Sequence, residues 1–146
     1  MLLLMDDASK LLSCLNGHQI PHLVIGAYAM AFHGYARPTR DFDVMLDPAS
    51  NPVPALVAFG ITELVSFPPD AIVRYGDPDD EEGRIDLTNI IEAVTFQEAW
   101  PGRVPALFYG VPTHVIGLAA LVANKLQSRR LKDHLDGLRL LQLARR

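Results

Sequence analysis

Apolar residues fall along the chain in short blocks whose period changes several times. Asp6 or Asp7 can cap a first helix that ends at Gly17. "PHLVIG" (21–26) is a β-branched run opened by proline and closed by glycine, which predicts a buried strand. "AYAMAFHGY" (27–35) predicts a helix stopping at Gly34, and a second strand follows from Asp41 to Leu46. "NPVPALVAFG" (51–60) predicts a helix capped by Asn51, with Pro52 at its first position and Gly60 at its exit. "AIVRYG" (71–76) and "RIDLTNI" (84–90) read as strands facing each other across the acidic link "DPDDEE". Thr95 with Glu98 makes a capping box for a short helix, and "RVPALFYG" and "VPTHVIG" add short strands around a turn. The end is a helical pair: Leu118, Leu121, Val122 and Leu126 recur at helical spacing, as do Leu131, Leu135, Leu138 and Leu141. Arg129 and Arg130 mark the join. Strands mixed with helices in this order predict an α/β or α+β fold with a mixed central sheet.

Length and composition narrow this little. A chain of 146 residues with 49% hydrophobic and 21% charged residues suits one globular domain. Cys14 is the only cysteine, which removes an internal disulfide and a cysteine-based metal site and fits a cytoplasmic setting. The opening "MLLLMDDASK" lacks the basic segment and cleavage site of a secretory signal, and no stretch approaches the ~20 apolar residues of a membrane span. Charge is more informative. Residues 1–100 carry 5 Lys+Arg against 15 Asp+Glu, whereas residues 101–146 carry 8 against 2. An acidic half can collect cations and a basic tail can meet phosphates, although a solvated basic helix face explains the tail as well.

Candidate chemistry begins at "RPTRDFDVML" (37–46). Residues two apart on a strand point to one face, with Cα atoms ~6.5–7 Å apart, so Asp41 and Asp43 aim together. Two convergent carboxylates repel unless a cation lies between them, and Mg²⁺ takes oxygen ligands at ~2.0–2.1 Å. Asp86 interrupts an apolar strand between Ile85 and Leu87. It needs either a cation or an ion pair with Arg84 or Arg37. If its strand neighbours residues 41–46, three carboxylates could serve two cations ~3.5–4 Å apart. Upstream, "VIGAYA" runs from a strand through Gly26 straight into a helix, a junction whose backbone N–H groups can receive an anion.

Together these parts resemble the nucleotidyltransferase superfamily, the DNA polymerase β-like group, and the resemblance implies a single minimal domain with its core over about residues 20–142. The superfamily's pattern is a glycine followed by glycine or serine at a strand–helix turn, a helix, a D-x-D strand, and a third aspartate on a later strand. Here it reads Gly26-Ala27, thirteen residues, Asp41-Phe42-Asp43, then Asp86. "HGYARPTRDFDV" and "NKLQSRRLKDHLD" (124–136) are similar to small prokaryotic members related to abortive-infection toxins. The resemblance implies transfer of a nucleoside monophosphate from an NTP such as ATP to an acceptor, with release of pyrophosphate. It implies that Asp41, Asp43 and Asp86 are catalytic and hold two Mg²⁺ (or Mn²⁺), with Asp86 helping to deprotonate the attacking group. Gly26, Ala27, Arg37, Arg40, Lys125, Lys132 and Asp133 would then form the nucleotide site. Ala27 stands where the family has Ser or Gly, keeping the N–H but losing the hydroxyl.

The implied partners are an NTP, an acceptor such as RNA, tRNA or a protein, a cognate antitoxin and a second copy of the chain, with no membrane. A second expectation comes from Ala27 and the small size: a nucleotide-binding or interaction module that kept the fold and lost the reaction. His33 reads as a hydrogen-bonded structural group, and residues 77–82 as a solvated acidic turn. No G-x-x-x-x-G-K-[ST] and no G-x-S-x-G occurs, which removes the P-loop and hydrolase-elbow readings.

Overall fold

The apolar blocks become strands and helices in the expected order. A computed structural model describes residues 3–36, 38–76, 83–128 and 130–145. In chain order the elements are α1 (Leu3–Gly17), β1 (His22–Ile25), α2 (Gly26–Phe32), β2 (Asp41–Leu46), α3 (Val53–Phe59), β3 (Ile72–Tyr75) and β4 (Arg84–Thr88). There follow α4 (Phe96–Ala99), a 3-10 turn (Trp100–Gly102), β5 (Val104–Phe108), β6 (Val111–Val115), α5 (Leu118–Gln127) and α6 (Leu131–Ala144). The acidic link 77–82 lies outside the described residues.

The strands form one mixed sheet in the order β3-β4-β2-β1-β6-β5. β1 runs antiparallel to β2 and parallel to β6, while β2 runs parallel to β4. The β3–β4 and β5–β6 pairs are antiparallel, the second around a tight turn with Tyr109 and Gly110 at positive φ. Ala8, Leu11, Leu12 and Leu15 recur at helical spacing and are fully buried, so α1 turns one apolar stripe to the core. Phe42 is fully buried between the two aspartates of β2, and its ring meets Tyr28 of α2 edge-on at 5.3 Å and Phe108 of β5 at 5.0 Å. One residue on β2 thus ties α2 and a distant strand to the strand that carries the acids.

Several boundaries differ from expectation for local reasons. α1 begins at Leu3 because its apolar lead-in continues the helix; Asp6 lies inside, where its carbonyl accepts from the Ser9 hydroxyl at 3.0 Å. α2 stops at Phe32, with Gly34 at φ 104° two residues on. α3 begins at Val53, one residue later than expected, with Pro52 at the cap position and Asn51 Oδ1 accepting from Val53 N at 3.2 Å. The Thr95–Glu98 capping box forms with both hydrogen bonds. On α6 the leucine row faces outward: Leu131, Leu135 and Leu138 are exposed, and Asp136, Gly137 and Leu140 are buried. Gly137 explains that choice of face. A Cβ there would lie 2.8 Å from Leu126 Cδ2 and 3.2 Å from Lys125 Cβ, so the missing side chain is what lets α6 close on α5.

His33 is structural, as expected, its Nε2 bonding the Ile116 carbonyl oxygen at 2.7 Å. His22 is buried with Nδ1 donating to the Ile20 carbonyl at 2.8 Å and Nε2 accepting from the Thr113 hydroxyl at 3.3 Å. Burial lowers its pKa, with the Ile20 bond opposing and nearby His114 adding to the shift, so His22 is neutral at pH 7.

Phe42→Ala should destabilise the protein by about 3–5 kcal/mol, measured by urea unfolding, since a fully buried ring leaves a cavity under both aspartates.

Candidate active site

The geometry of the site follows from strand parity and register. β2 presents Asp41 and Asp43 on one face and Phe42 and Val44 on the other. β4 lies beside it in parallel, with Asp41 opposite Arg84 and Asp43 opposite Asp86. Four charged side chains therefore occupy the corners of one rectangle, three acids and one base. On the far side of β4, Arg74 of β3 stands opposite Asp86. On the near side, Ile25, the last residue of β1, stands opposite Asp43 and delivers Gly26 at φ 69° to the start of α2.

Gly26, Asp41, Asp43, Arg74, Arg84 and Asp86 line a cleft of about 560 Å³ together with Ala27, Pro38, Thr39, Arg40, Lys125, Arg130, Lys132 and Asp133. The structure thus brings together every site residue named from the sequence except Arg37, which lies outside the described residues, as does Arg129. It adds Arg74, Arg84 and Arg130. Arg74 was legible as a charge between Val73 and Tyr75, at a position whose register across the β3–β4 pair falls on Asp86.

Gly26 touches the acid pair directly. A Cβ at position 26 would overlap the Asp43 carboxylate, so the backbone at this turn and that carboxylate share one space. Burial first, then the charges of Asp86 and Asp41, raise the Asp43 pKa to about 7, against the opposing pull of Lys125 and Arg84. Asp86 is raised too, by burial, with Arg84 pulling the other way, Asp41 adding to the rise and Arg74 opposing it. Between these acids lies Arg84, its Nε 3.2 Å from Asp86 Oδ1 and 3.6 Å from Asp41 Oδ1. Arg74 Nε reaches the same Asp86 oxygen at 3.7 Å. The Arg84 ion pair, one of the partners foreseen for Asp86, is present. Yet Arg84 Nε and Asp86 Oδ1, both buried, make no well-directed hydrogen bond.

The far wall is built by the join of α5 and α6. Lys125 Nζ pairs with Asp133 Oδ1 at 3.3 Å, and the Ser128 hydroxyl donates to Asp133 Oδ2 at 2.6 Å. His134 Nε2 closes the turn on the Ser128 carbonyl. Burial alone would raise the Asp133 carboxyl, but Ser128, Lys125 and Arg130 together outweigh it and hold it below its ordinary value. Asp133 is therefore an anchor that steers Lys125 toward Asp43.

A hard divalent cation suits this donor set in part. Asp41 and Asp43 share a face, Asp43 is crowded by like charge, and Asp86 keeps a buried oxygen without a directed donor. Among the described residues no three His, Cys, Asp or Glu side chains gather closely enough to cage an ion by themselves. All three acids line the one cleft, Asp86 acting on Asp43 more strongly than Asp41 does, and Arg84 lies between Asp41 and Asp86.

No family model matches the chain, and no curated protein matches it either. Solved structures do. The solution structure of the antibiotic-resistance factor ANT(2'')-Ia matches with a TM-score of 0.59 and 15% identity, over 99% of this chain and 85% of that one. The crystal structure of ANT(2'')-Ia with adenylyl-2''-tobramycin gives 0.56 and 15%, over 99% and 90%. The lincomycin-bound lincosamide adenylyltransferase LnuA gives 0.54 and 13%, over 94% and 96%. The chain has the nucleotidyltransferase fold. The resemblance read from Gly26, Asp41, Asp43 and Asp86 is borne out at the level of that fold, while a toxin-like subgroup finds no counterpart among these neighbours. Among the described residues no helix is long and apolar enough to cross a membrane.

The pKa of Asp43 gives a test free of any ligand. The folded protein keeps the Asp43 proton up to about pH 7, whereas the unfolded chain releases it near the ordinary carboxylate value of about 4. The folded state binds more protons in that window, so this group's contribution to stability is complete below about pH 4 and is lost as pH rises to 7. In the absence of divalent cations, Asp43→Asn should therefore gain stability over the wild type from pH 4 to 7 and hold that gain above it. Urea titrations across pH should show a difference with an upper bound on the order of 4 kcal/mol.

Proposed function

We propose that the protein is a divalent-metal-dependent nucleotidyltransferase built as a single minimal domain, moving a nucleoside monophosphate from an NTP such as ATP to an acceptor. The observation that carries this reading is the Asp41–Asp43 pair facing the Gly26 turn in a cleft with cationic walls. Six cations line it (Arg40, Arg74, Arg84, Lys125, Arg130, Lys132) against four acids (Asp41, Asp43, Asp86, Asp133), a balance that suits a triphosphate. Asp41 and Asp43, joined by Asp86, would hold Mg²⁺ or Mn²⁺, which when bound offsets phosphate charge and polarises the α-phosphorus. Gly26 and Ala27 present backbone N–H groups to the phosphates, and Lys125, Arg40 and Lys132 neutralise the triphosphate. Asp86, raised by burial, takes the proton from the attacking hydroxyl. The bond from acceptor oxygen to the α-phosphorus forms, the α–β bridge breaks, and pyrophosphate leaves.

For the acceptor, the basic balance of residues 101–146 and the cationic cleft wall favour an anionic molecule such as RNA or tRNA over a cationic aminoglycoside. A cytoplasmic toxin held by an antitoxin partner, and a homodimer through the exposed leucines of α6, belong to the same proposal.

A second reading, a nucleotide-binding or interaction module without the reaction, is favoured by Arg84 lodged between Asp41 and Asp86 and by the missing hydroxyl at Ala27. One experiment separates the two. The protein is incubated with Mg²⁺ and α-labelled NTPs, with total RNA, an aminoglycoside, a lincosamide or no acceptor. Label transfer that Asp43→Asn lowers by at least a hundredfold is the expected result. Binding of Mg·NTP with no transfer to any acceptor supports the module, and absence of Mg·NTP binding refutes both.

A further inference from the structure

Arg84 is the one base in the rectangle of strand charges, and its position is unusual for a structural ion pair. The strong form of an arginine–carboxylate pair is bidentate, with two parallel N–H donors on two oxygens. Arg84 instead reaches Asp86 and Asp41 through Nε, at 3.2 and 3.6 Å, and that buried Nε has no directed hydrogen bond. Such a contact is held by charge and at most a poorly directed hydrogen bond. It costs little to give up, and a buried N–H without an acceptor gains whenever it finds one. The side chain is a quarter exposed and borders the cleft, so its head has room to turn.

We infer that Arg84 is an exchangeable counter-ion: its guanidinium holds the place of the divalent cation between Asp41 and Asp86, and gives up both carboxylates to the cation when nucleotide phosphates arrive to receive it. Two observations support the exchange beyond the distances. Arg84 is fixed in register opposite Asp41 and two residues before Asp86 on the same face of β4, so it cannot leave the neighbourhood; it can only re-aim. The same Asp86 oxygen has a reserve partner in Arg74, more than half exposed at 3.7 Å, which prevents the acid from being stranded during the swap. With all three acids ionised, Asp41, Asp43, Asp86 and Arg84 sum to a formal −2, so a divalent cation is matched in charge and has to contend with Arg84 for position, since the guanidinium lies between Asp41 and Asp86. The consequence is conditional assembly: the cation alone binds weakly, the nucleotide alone binds weakly, and each strengthens the other through Arg84.

The inference rests on the metal-dependent nucleotide site proposed above, and binding measurements separate the two. Mn²⁺ affinity is measured by electron paramagnetic resonance without nucleotide, and Mn·ATP affinity by calorimetry, for the wild type and for Arg84→Met. The variant should bind free Mn²⁺ at least tenfold more tightly and Mn·ATP at least tenfold more weakly, a crossed pattern that a merely structural arginine would not give. Equal Mn²⁺ affinity in the two proteins overturns the exchange and leaves the nucleotide site standing. No Mn²⁺ or Mn·ATP binding by either protein overturns both. Should Arg84→Met fail to fold, the wild type alone decides: ¹⁵N resonances of the Arg84 and Arg74 Nε–H groups must shift on adding Mg·ATP and stay near their apo positions with Mg²⁺ alone. Unmoved resonances with Mg·ATP refute the inference.

Discussion

The site exists because β2 and β4 pair in parallel and in one register. That pairing sets Asp41 against Arg84 and Asp43 against Asp86, and a slip of one residue would turn a whole strand's charges to the opposite face. Parallel neighbours cannot be joined by a tight turn, so the chain must leave through α3 and β3 before returning. The return is pinned at its first residue. Arg84 N donates to the Arg40 carbonyl at 3.0 Å, and Gly83, at φ 88°, passes so close that a Cβ would overlap that same oxygen. Phe42 supplies the matching constraint from beneath, filling the other face of β2 with a ring that meets Tyr28 and Phe108. Charges that repel are thus held together by apolar packing and backbone pairing on the side away from the cleft.

Much of this was written in the local pattern, because local pattern is what fixes strand existence and side-chain parity. Residues 41–46 form a strand with the predicted bounds, and the D-x-D spacing requires a shared face whatever the sheet does next. The Thr95–Glu98 box, the β5–β6 pair and the α5–α6 pair likewise need only nearby residues. Register between distant strands is different. Nothing within 84–88 states that Asp86 lies beside Asp43, nor that Arg84 stands by Asp41; both depend on non-local pairing. The same limit explains α6. Its leucines announced a helix, but which face is buried depended on Gly137 meeting Leu126, a contact between helices. Arg74 is the same case: its charge is plain in the sequence, but its partner acid is on the neighbouring strand.

Fold and chemistry stand on separate legs in this chain. Likeness at 13–15% identity to ANT(2'')-Ia and LnuA fixes the architecture, while the acids, glycine and cations of the cleft are this chain's own. The cationic wall is arranged in two tiers. Arg84 and Arg74 attend the acids from within the sheet, and Lys125, steered by Asp133 and Ser128, approaches from the helical join. The lower tier balances the charge of the acids, with Arg74 the more exposed of its two members, and Lys125 is itself balanced by Asp133.

The contact between Gly26 and Asp43 also carries an evolutionary corollary. Because backbone and carboxylate compete for one volume, the two positions are coupled: a lineage that abandons the acid for a smaller residue removes the clash at its partner and leaves only the strain of a side chain at φ 69°. In a diverged copy, a residue other than glycine at that turn would therefore be a legible scar of lost chemistry, visible before any assay.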